Sequence, residues 1–529
     1  MIRNVHIQNF KGFDSFRLSL NNDLNIIVGD NEAGKSTILE AISLALTKRL
    51  NGKPIEYEIG PYLFNANCAR SYLQALRDGK KPELPKIVIE LYLDDTSPDV
   101  QSLRGSNNAD KADAVGIRLE IAFDDDYKEE YTKLVEERAE TKVIPAEYFR
   151  VNWRSFADEA ITARSLPIGL AHIDATTIRL QSGTDYYLQN IINEGLSPRE
   201  KVALAIAYRK LKEQFSGEAS IQGINNNLAK GVLTEKDLTI GIDISQKTNW
   251  ETNLIPHLNE LPFQLVGKGE QTALKIMLAL DRKAKDANVV LIEEPENHLS
   301  FSSMNKLISK IGEKCAGKQI IVATHSAYVL NKLGIEKVFL LNGQKTVTLK
   351  NLPRDTQAYF KKLPGYDTLR LILAKKAILV EGPSDELIVQ KAYKAKHGKL
   401  PIENGVDVIN VRGLSFARFL DIAKELKKDV VVVTDNDGDY QRRVVEKYAP
   451  YYGIQSIKIC ADHDDQVKTL ESQVEKMNGT ALNRIFGTSY SDRPSLLAYM
   501  ENNKTEWALK VFESNEPVTY PGYINDAIQ

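Results

Sequence analysis

Cysteine is scarce in this chain. There are three among 529 residues, Cys68, Cys315 and Cys460, far apart and in no metal-binding spacing. That excludes a zinc site built on cysteine and suits a reducing compartment. Long apolar runs are missing too: none approaches the ~20 residues needed to cross a bilayer, so no membrane role is expected. The opening, Met1-Ile2-Arg3-Asn4-Val5-His6, lacks the apolar core of a secretory signal, and a cytoplasmic location is the expectation. Charge of one sign is not in excess either. Lys and Arg number 69 against 71 Asp and Glu, a net charge of −2. Binding of nucleic acid through bulk positive charge is therefore excluded, while a local basic surface is not. No internal repeat or low-complexity tract is present. What remains is an ordinary globular composition, 43% hydrophobic and 26% charged, in a chain too long for one core, so about three compact units are expected.

Residues 1–154 read as strands, a glycine loop and a helix, followed by two strand-like runs at 87–93 and 115–121. Residues 155–245 read as helical, with Ser197-Pro198-Arg199-Glu200 a helix start. Strands and short helices return over 246–345. Residues 346–370 carry two prolines and read as a linker, and 371–529 alternate strand and helix as a second α/β unit with a parallel sheet.

Gly29-Asp30-Asn31-Glu32-Ala33-Gly34-Lys35-Ser36 has the spacing of a P-loop, between an apolar strand (Leu24–Val28) and a helix opening at Thr37. Gly29, Asn31 and Gly34 lie in the backbone curl that wraps phosphate oxygens, aided by the helix N-terminus. Lys35 would reach the outer phosphates and Ser36 would hold Mg²⁺ of a bound ATP. A buried-strand pattern, Val289-Val290-Leu291-Ile292, ends in Glu293-Glu294-Pro295-Glu296. Glu293 is placed to bind the same Mg²⁺ and Glu294 to polarise the attacking water. Gly267-Lys268-Gly269-Glu270-Gln271 opens a helix shortly before that strand, and Thr324-His325-Ser326 follows the next one.

In this order the pieces resemble the ABC-type ATPase heads of the structural-maintenance-of-chromosomes, Rad50 and RecF group. The resemblance implies that Gly267 and Gly269 belong to a signature loop that caps ATP on a second subunit and that His325 is a switch histidine. Ile7-Gln8-Asn9-Phe10-Lys11-Gly12-Phe13 looks like that group's opening. No glutamine answers to the group's Q-loop.

A second constellation stands downstream. Ala377-Ile378-Leu379-Val380 ends in Glu381-Gly382-Pro383-Ser384-Asp385-Glu386, and Val430-Val431-Val432-Val433 ends in Thr434-Asp435-Asn436-Asp437-Gly438-Asp439. Both sets of carboxylates sit at the C-terminal ends of strands, which share one edge of a parallel sheet. Carboxylates gathered at one edge repel unless a divalent cation sits among them, and oxygen ligands select Mg²⁺, Mn²⁺ or Ca²⁺. Two ions can clamp the attacking and leaving oxygens of a phosphodiester. An EF-hand is the poorer reading of 435–446, because a strand and not a helix precedes it and the loop closes badly.

Glu381, Asp385, Asp435 and Asp437 in this arrangement resemble a Toprim domain. An ABC ATPase followed directly by Toprim resembles the OLD (overcoming lysogenization defect) endonuclease family over nearly the whole chain, and within it the Gabija group of anti-phage nucleases. That resemblance implies an α/β fold of ATPase head, helical dimerisation insert (155–245) and Toprim domain (371–529). It implies a DNA endonuclease with two Mg²⁺ or Mn²⁺ ions, gated by ATP. It adds Glu471 as a further metal ligand and Lys504 as a lysine that stabilises phosphate charge. Expected partners are double-stranded DNA, further copies in a homodimer or tetramer, and a helicase or other defence-system protein. The competing expectation is an ATP-dependent DNA-binding or repair-mediator protein that does not cut. Eight basic residues near the second site are candidates for a DNA track: Lys375, Lys376, Lys391, Lys394, Lys396, Arg412, Arg442 and Arg443.

Overall fold

The computed structural model describes residues 1–136, 141–163, 165–174, 180–181, 184–185, 196–228, 240, 242, 255–282, 287–314, 316–413, 416–490 and 492–529. An antiparallel sheet opens the chain: β1 (Ile2–Phe10) lies between β2 (Phe13–Ser19) and β4 (Ile87–Leu93), and β5 (Ala114–Phe123) pairs with both β4 and β6 (Phe149–Ser155). β4 is buried along its whole length, which is why it reads as a continuous apolar run rather than an alternating one.

The second sheet is mostly parallel. Its order is β7 (Leu170–Asp174), β8 (Val289–Glu293), β9 (Gln319–Ala323), β3 (Leu24–Val28), β10 (Val338–Asn342) and β11 (Lys345–Thr348), the last antiparallel. Helix α1 (Lys35–Thr47) joins the two sheets. Ile38, Leu39, Ala41, Ile42, Leu44 and Ala45 are wholly buried in one core with β1, β4 and β5.

Two expectations need correction. Within the stretch read as helical, β7 is a strand that runs in register beside β8 (Leu170 opposite Val289, Asp174 opposite Glu293). Its five residues are too few to show a period, so it passed for part of a helix. The described helical part begins at α2 (Pro198–Gly217), whose Ser197 cap and Glu200 form a reciprocal capping box. The remaining segments of 155–245 lie outside the described residues. Nor is 346–370 an open linker: β11 belongs to the second sheet, and α3 (Arg354–Lys362) and α4 (Thr368–Leu373) pack inward through Phe360, Leu371 and Ile372. Prolines at 353 and 364 only bound α3, as they do at helix ends.

A third sheet, all parallel, has the order β13 (Val406–Asn410), β12 (Lys376–Val380), β14 (Asp429–Val433), β15 (Ile457–Cys460). Helices α5 (Pro383–His397) and α6 (Phe416–Leu426) are followed by α7 (Leu470–Phe486), α8 (Lys504–Glu513) and α9 (Gly522–Ala527). One apolar core runs from Ile26 and Val28 of the P-loop strand through Leu340 and Phe360 to Phe419 of α6 and to Leu379 and Val432 of the third sheet. The two α/β units are thus packed together and not merely tethered. Among the described residues no helix is long and apolar enough to cross a membrane.

Candidate functional sites at two sheet edges

Strand β3 delivers the P-loop at the C-terminal edge of the second sheet. Gly34 caps α1 with φ +96°, and a Cβ there would stand 2.5 Å from the Phe13 ring. Only glycine meets both demands. Gly34→Ala is therefore expected to cost on the order of 1–3 kcal/mol of stability and to remove ATP binding, read by thermal unfolding and nucleotide titration. A variant that binds ATP like the parent would contradict this. Lys35 is buried and folded back, donating to the carbonyls of Gly29 and Asp30 at 3.0 Å each. Burial lowers its pKa, against the pull of Glu294, Asp30, Glu293 and Glu296. Asn31 and Ser36 are exposed and Thr37 is half-buried.

The acids face this loop from β8. Burial pushes the Glu293 carboxyl up, and a hydrogen bond from Ser36 pulls it down. Glu294, at φ +45°, is raised to about 8 by burial and by Glu296, with Lys35 opposing. His325 Nε2 lies 3.0 Å from Glu294 Oε1. Its backbone N–H and the Thr324 hydroxyl donate to Glu296 Oε1 at 2.8 and 2.6 Å. Glu296 and Asp174, the latter on β7 opposite Glu293 and raising its carboxyl by like charge, escaped the sequence reading. The former was visible as the fourth residue of the acidic string, while Asp174 carried no local signal. Gly267 and Gly269 open the helix at Lys268–Arg282, and a Cβ at Gly269 would stand 2.4 Å from the His298 carbonyl.

The second site lies at the C-terminal edge of the third sheet. Glu381 follows β12, Asp385 sits in the first turn of α5, Asp435 follows β14 and Glu471 sits in the first turn of α7. Glu381 Oε1 accepts from the Thr434 hydroxyl at 2.5 Å and from the Asp435 N–H at 3.3 Å. Its pKa is nonetheless raised, by burial. Asp385 is 9% exposed, and burial, then Glu381 and Glu471, push it up to about 7. Asp435 is raised well above the usual range by burial, then by Asp385, Glu381 and Glu471. Its Oδ1 is buried with no hydrogen-bond partner. Asp437 is set apart, half-exposed, with φ +50° and Arg443 at 3.8 Å.

This all-oxygen set suits a hard divalent cation. The partnerless Asp435 Oδ1 and the mutual repulsion are what such an ion would relieve. Among the described residues no three of these side chains already converge on one coordination point. Lys504 stands exposed at the start of α8, outside any ion pair or hydrogen bond with the cluster among the described residues. A cation that acts on both Glu381 and Asp437 is Lys447, half-buried over the rings of Tyr448 and Phe416. It lay on a polar stretch with no motif to mark it. Of the candidate DNA track, Lys376 and Lys391 are tied to chain carbonyls (Gln529; Phe512 and Ser514), which removes them.

Residues 372–437 match the family model described as overcoming lysogenization defect protein-like, Toprim domain. Residues 4–162 match an AAA domain, and 89–331 an AAA domain described as putative AbiEii toxin, type IV toxin–antitoxin system. An ATP/GTP phosphatase of Helicobacter pylori is 24% identical over 343 residues, 62% of this chain and 85% of that protein. The DNA double-strand break repair Rad50 ATPase of Methanopyrus kandleri is 32% identical over 88 residues, 17% of this chain and 8% of that one. Among solved structures, the C-terminal region of the Burkholderia pseudomallei OLD protein aligns at 16% identity and a TM-score of 0.24, covering 30% of this chain and 96% of that one. The SMC head domain from Thermotoga maritima aligns at 12% identity and 0.29, covering 65% and 97%. The chain is an enzyme that carries an OLD-like Toprim domain behind an AAA-type ATPase domain, the pairing that its resemblance to the OLD family implied.

Proposed function

We propose that this protein is a metal-dependent DNA endonuclease gated by its ATPase half. The observation that carries the reading is the carboxylate cluster: four elements bring Glu381, Asp385, Asp435 and Glu471 to one edge, where burial raises the carboxyl pKa values of the first three and repulsion within the cluster adds to it at Asp385 and Asp435. Carboxylates held together at such a cost point to a divalent ligand. Mg²⁺ or Mn²⁺ bound there would supply charge neutralisation and a water acidic enough to attack a phosphodiester. Glu381, oriented by Thr434, Asp385, Asp435 and Glu471 would hold the ions, with Asp437 closing from the exposed side. Lys504 is assigned to the phosphate charge.

In the ATPase, Lys35, Ser36 and Glu293 would hold ATP with Mg²⁺, and Glu294 with His325 would act on the attacking water. ATP need not drive cutting, since phosphodiester hydrolysis requires no energy input. The shared core from β3 to β14 is a physical route between the two sites. The 20-residue α2 leaves Val202, Ile206, Leu211 and Phe215 exposed, which favours a homodimer or tetramer built through the insert. Double-stranded DNA is the substrate, with anti-phage defence, in the cytoplasm and alongside a partner such as a helicase, the setting that the family likeness suggests.

The test is cleavage of supercoiled plasmid with Mg²⁺ or Mn²⁺. The wild type should cut, EDTA should stop it, and Asp435→Ala with Asp437→Ala should abolish it. Cutting that survives the double substitution would refute the site. No cutting by the wild type, with ATP turnover intact, would favour an ATPase that binds DNA without cleaving it.

A further inference from the structure

The last helix, α9, packs across β14 and β15 and against α5; β14 leads directly into Asp435, and α5 carries Asp385. Its Tyr523 is 5% exposed, in one core with Val433, Cys460 and Ile388. The ring is accounted for by that packing; the hydroxyl is not. It is buried with no hydrogen-bond partner, and Asp435 Oδ1 is an equally buried acceptor with none. A buried donor and a buried acceptor both left unmade are rare in a native fold and call for an explanation. The charges that act on the phenol are Asp435, Asp385, Asp462 and Glu381, in that order. Burial and these carboxylates hold its pKa well above the ordinary value, so the hydroxyl remains a donor.

We infer that Tyr523 positions the Asp435 carboxylate, its hydroxyl supplying the hydrogen bond that Asp435 Oδ1 lacks once a divalent ion draws the carboxylates together. The inference rests on the metal-site reading above. Partners of this kind fix a ligand's orientation and raise its affinity for the ion. Tyr523 touches neither substrate nor ion in this role. The C-terminal helix thereby becomes part of the metal site, although it lies some ninety residues from the acidic motif in sequence (Asp435 to Tyr523).

Tyr523→Phe removes one oxygen and keeps the ring. In the full chain without nucleotide, the metal-free unfolding midpoint should stay the same or rise. Mn²⁺ should bind about tenfold more weakly by calorimetric titration, and the midpoint rise that Mn²⁺ gives the wild type should shrink. Tyr520→Phe, a half-buried neighbour, should change neither. An unaltered Mn²⁺ affinity in Tyr523→Phe overturns the inference. Mn²⁺ uptake that Asp435→Asn does not reduce overturns it together with the metal site. A wild type that binds Mn²⁺ and cuts no DNA sinks the nuclease alone, and the weaker Mn²⁺ binding of Tyr523→Phe still supports the positioning role.

Discussion

Asp385→Asn is expected to raise the unfolding midpoint of the metal-free chain near neutral pH while abolishing metal-dependent cleavage. The two effects share one cause. Burial, Glu381 and Glu471 push the Asp385 carboxyl up to about 7 from its usual 3.8. Between those values the unfolded chain has released the proton and the folded chain keeps it. Stability therefore falls as pH rises through this window, and the cost is complete above the folded value. Asparagine carries no charge and escapes the cost, on the order of 2–4 kcal/mol for a shift of this size in a buried group. The gap between variant and parent should narrow as the buffer is taken from about pH 8 to about pH 5. Added Mg²⁺ should reverse the order, stabilising the parent alone. Cleavage should fall by roughly a hundredfold or more, as when a group that acts on transition-state charge is lost. A variant less stable than the parent at the alkaline end, without metal, would contradict this account.

Glu294→Gln should lower ATP turnover by on the order of a hundredfold or more, the contribution of a positioned general base, while leaving ATP binding in place. Glu294 is held near Lys35 and His325 rather than at the Ser36–Glu293 pair. Glutamine keeps the size and hydrogen bonding of the uncharged carboxyl but cannot take a proton from the attacking water, and the substitution leaves the groups that bind the nucleotide in place. Lys35→Ala should do the reverse, losing ATP binding. Titration of a fluorescent ATP analogue beside a phosphate-release assay separates the two. Equal loss of binding in both variants would place Glu294 in binding and not in hydrolysis.

Motifs whose members sit within a few residues of a strand end were legible in the sequence. The P-loop, Glu293–Glu294, Glu381–Asp385 and the acids after β14 each follow an apolar strand, and a parallel sheet gathers such ends at one edge. Glu471 entered through family resemblance, because nothing in Thr469-Leu470-Glu471-Ser472 announces that α7 aims its first turn at β14. Asp174, Lys447 and Tyr523 were illegible for the same reason: tertiary packing alone brings them to the acids. β7 was lost to its brevity, and α3 to prolines that mark its ends and were read as a linker. Lys504 was placed by resemblance at a phosphate, and it stands exposed, outside the acidic cluster.

The most direct test of two separable sites in one chain is plasmid cleavage by the wild type, Glu381→Ala and Lys35→Ala, with Mg²⁺ or Mn²⁺ and with or without ATP. The account predicts that Glu381→Ala cuts under no condition, and that Lys35→Ala still cuts but no longer responds to ATP. Equal cutting by Glu381→Ala and the wild type would contradict it.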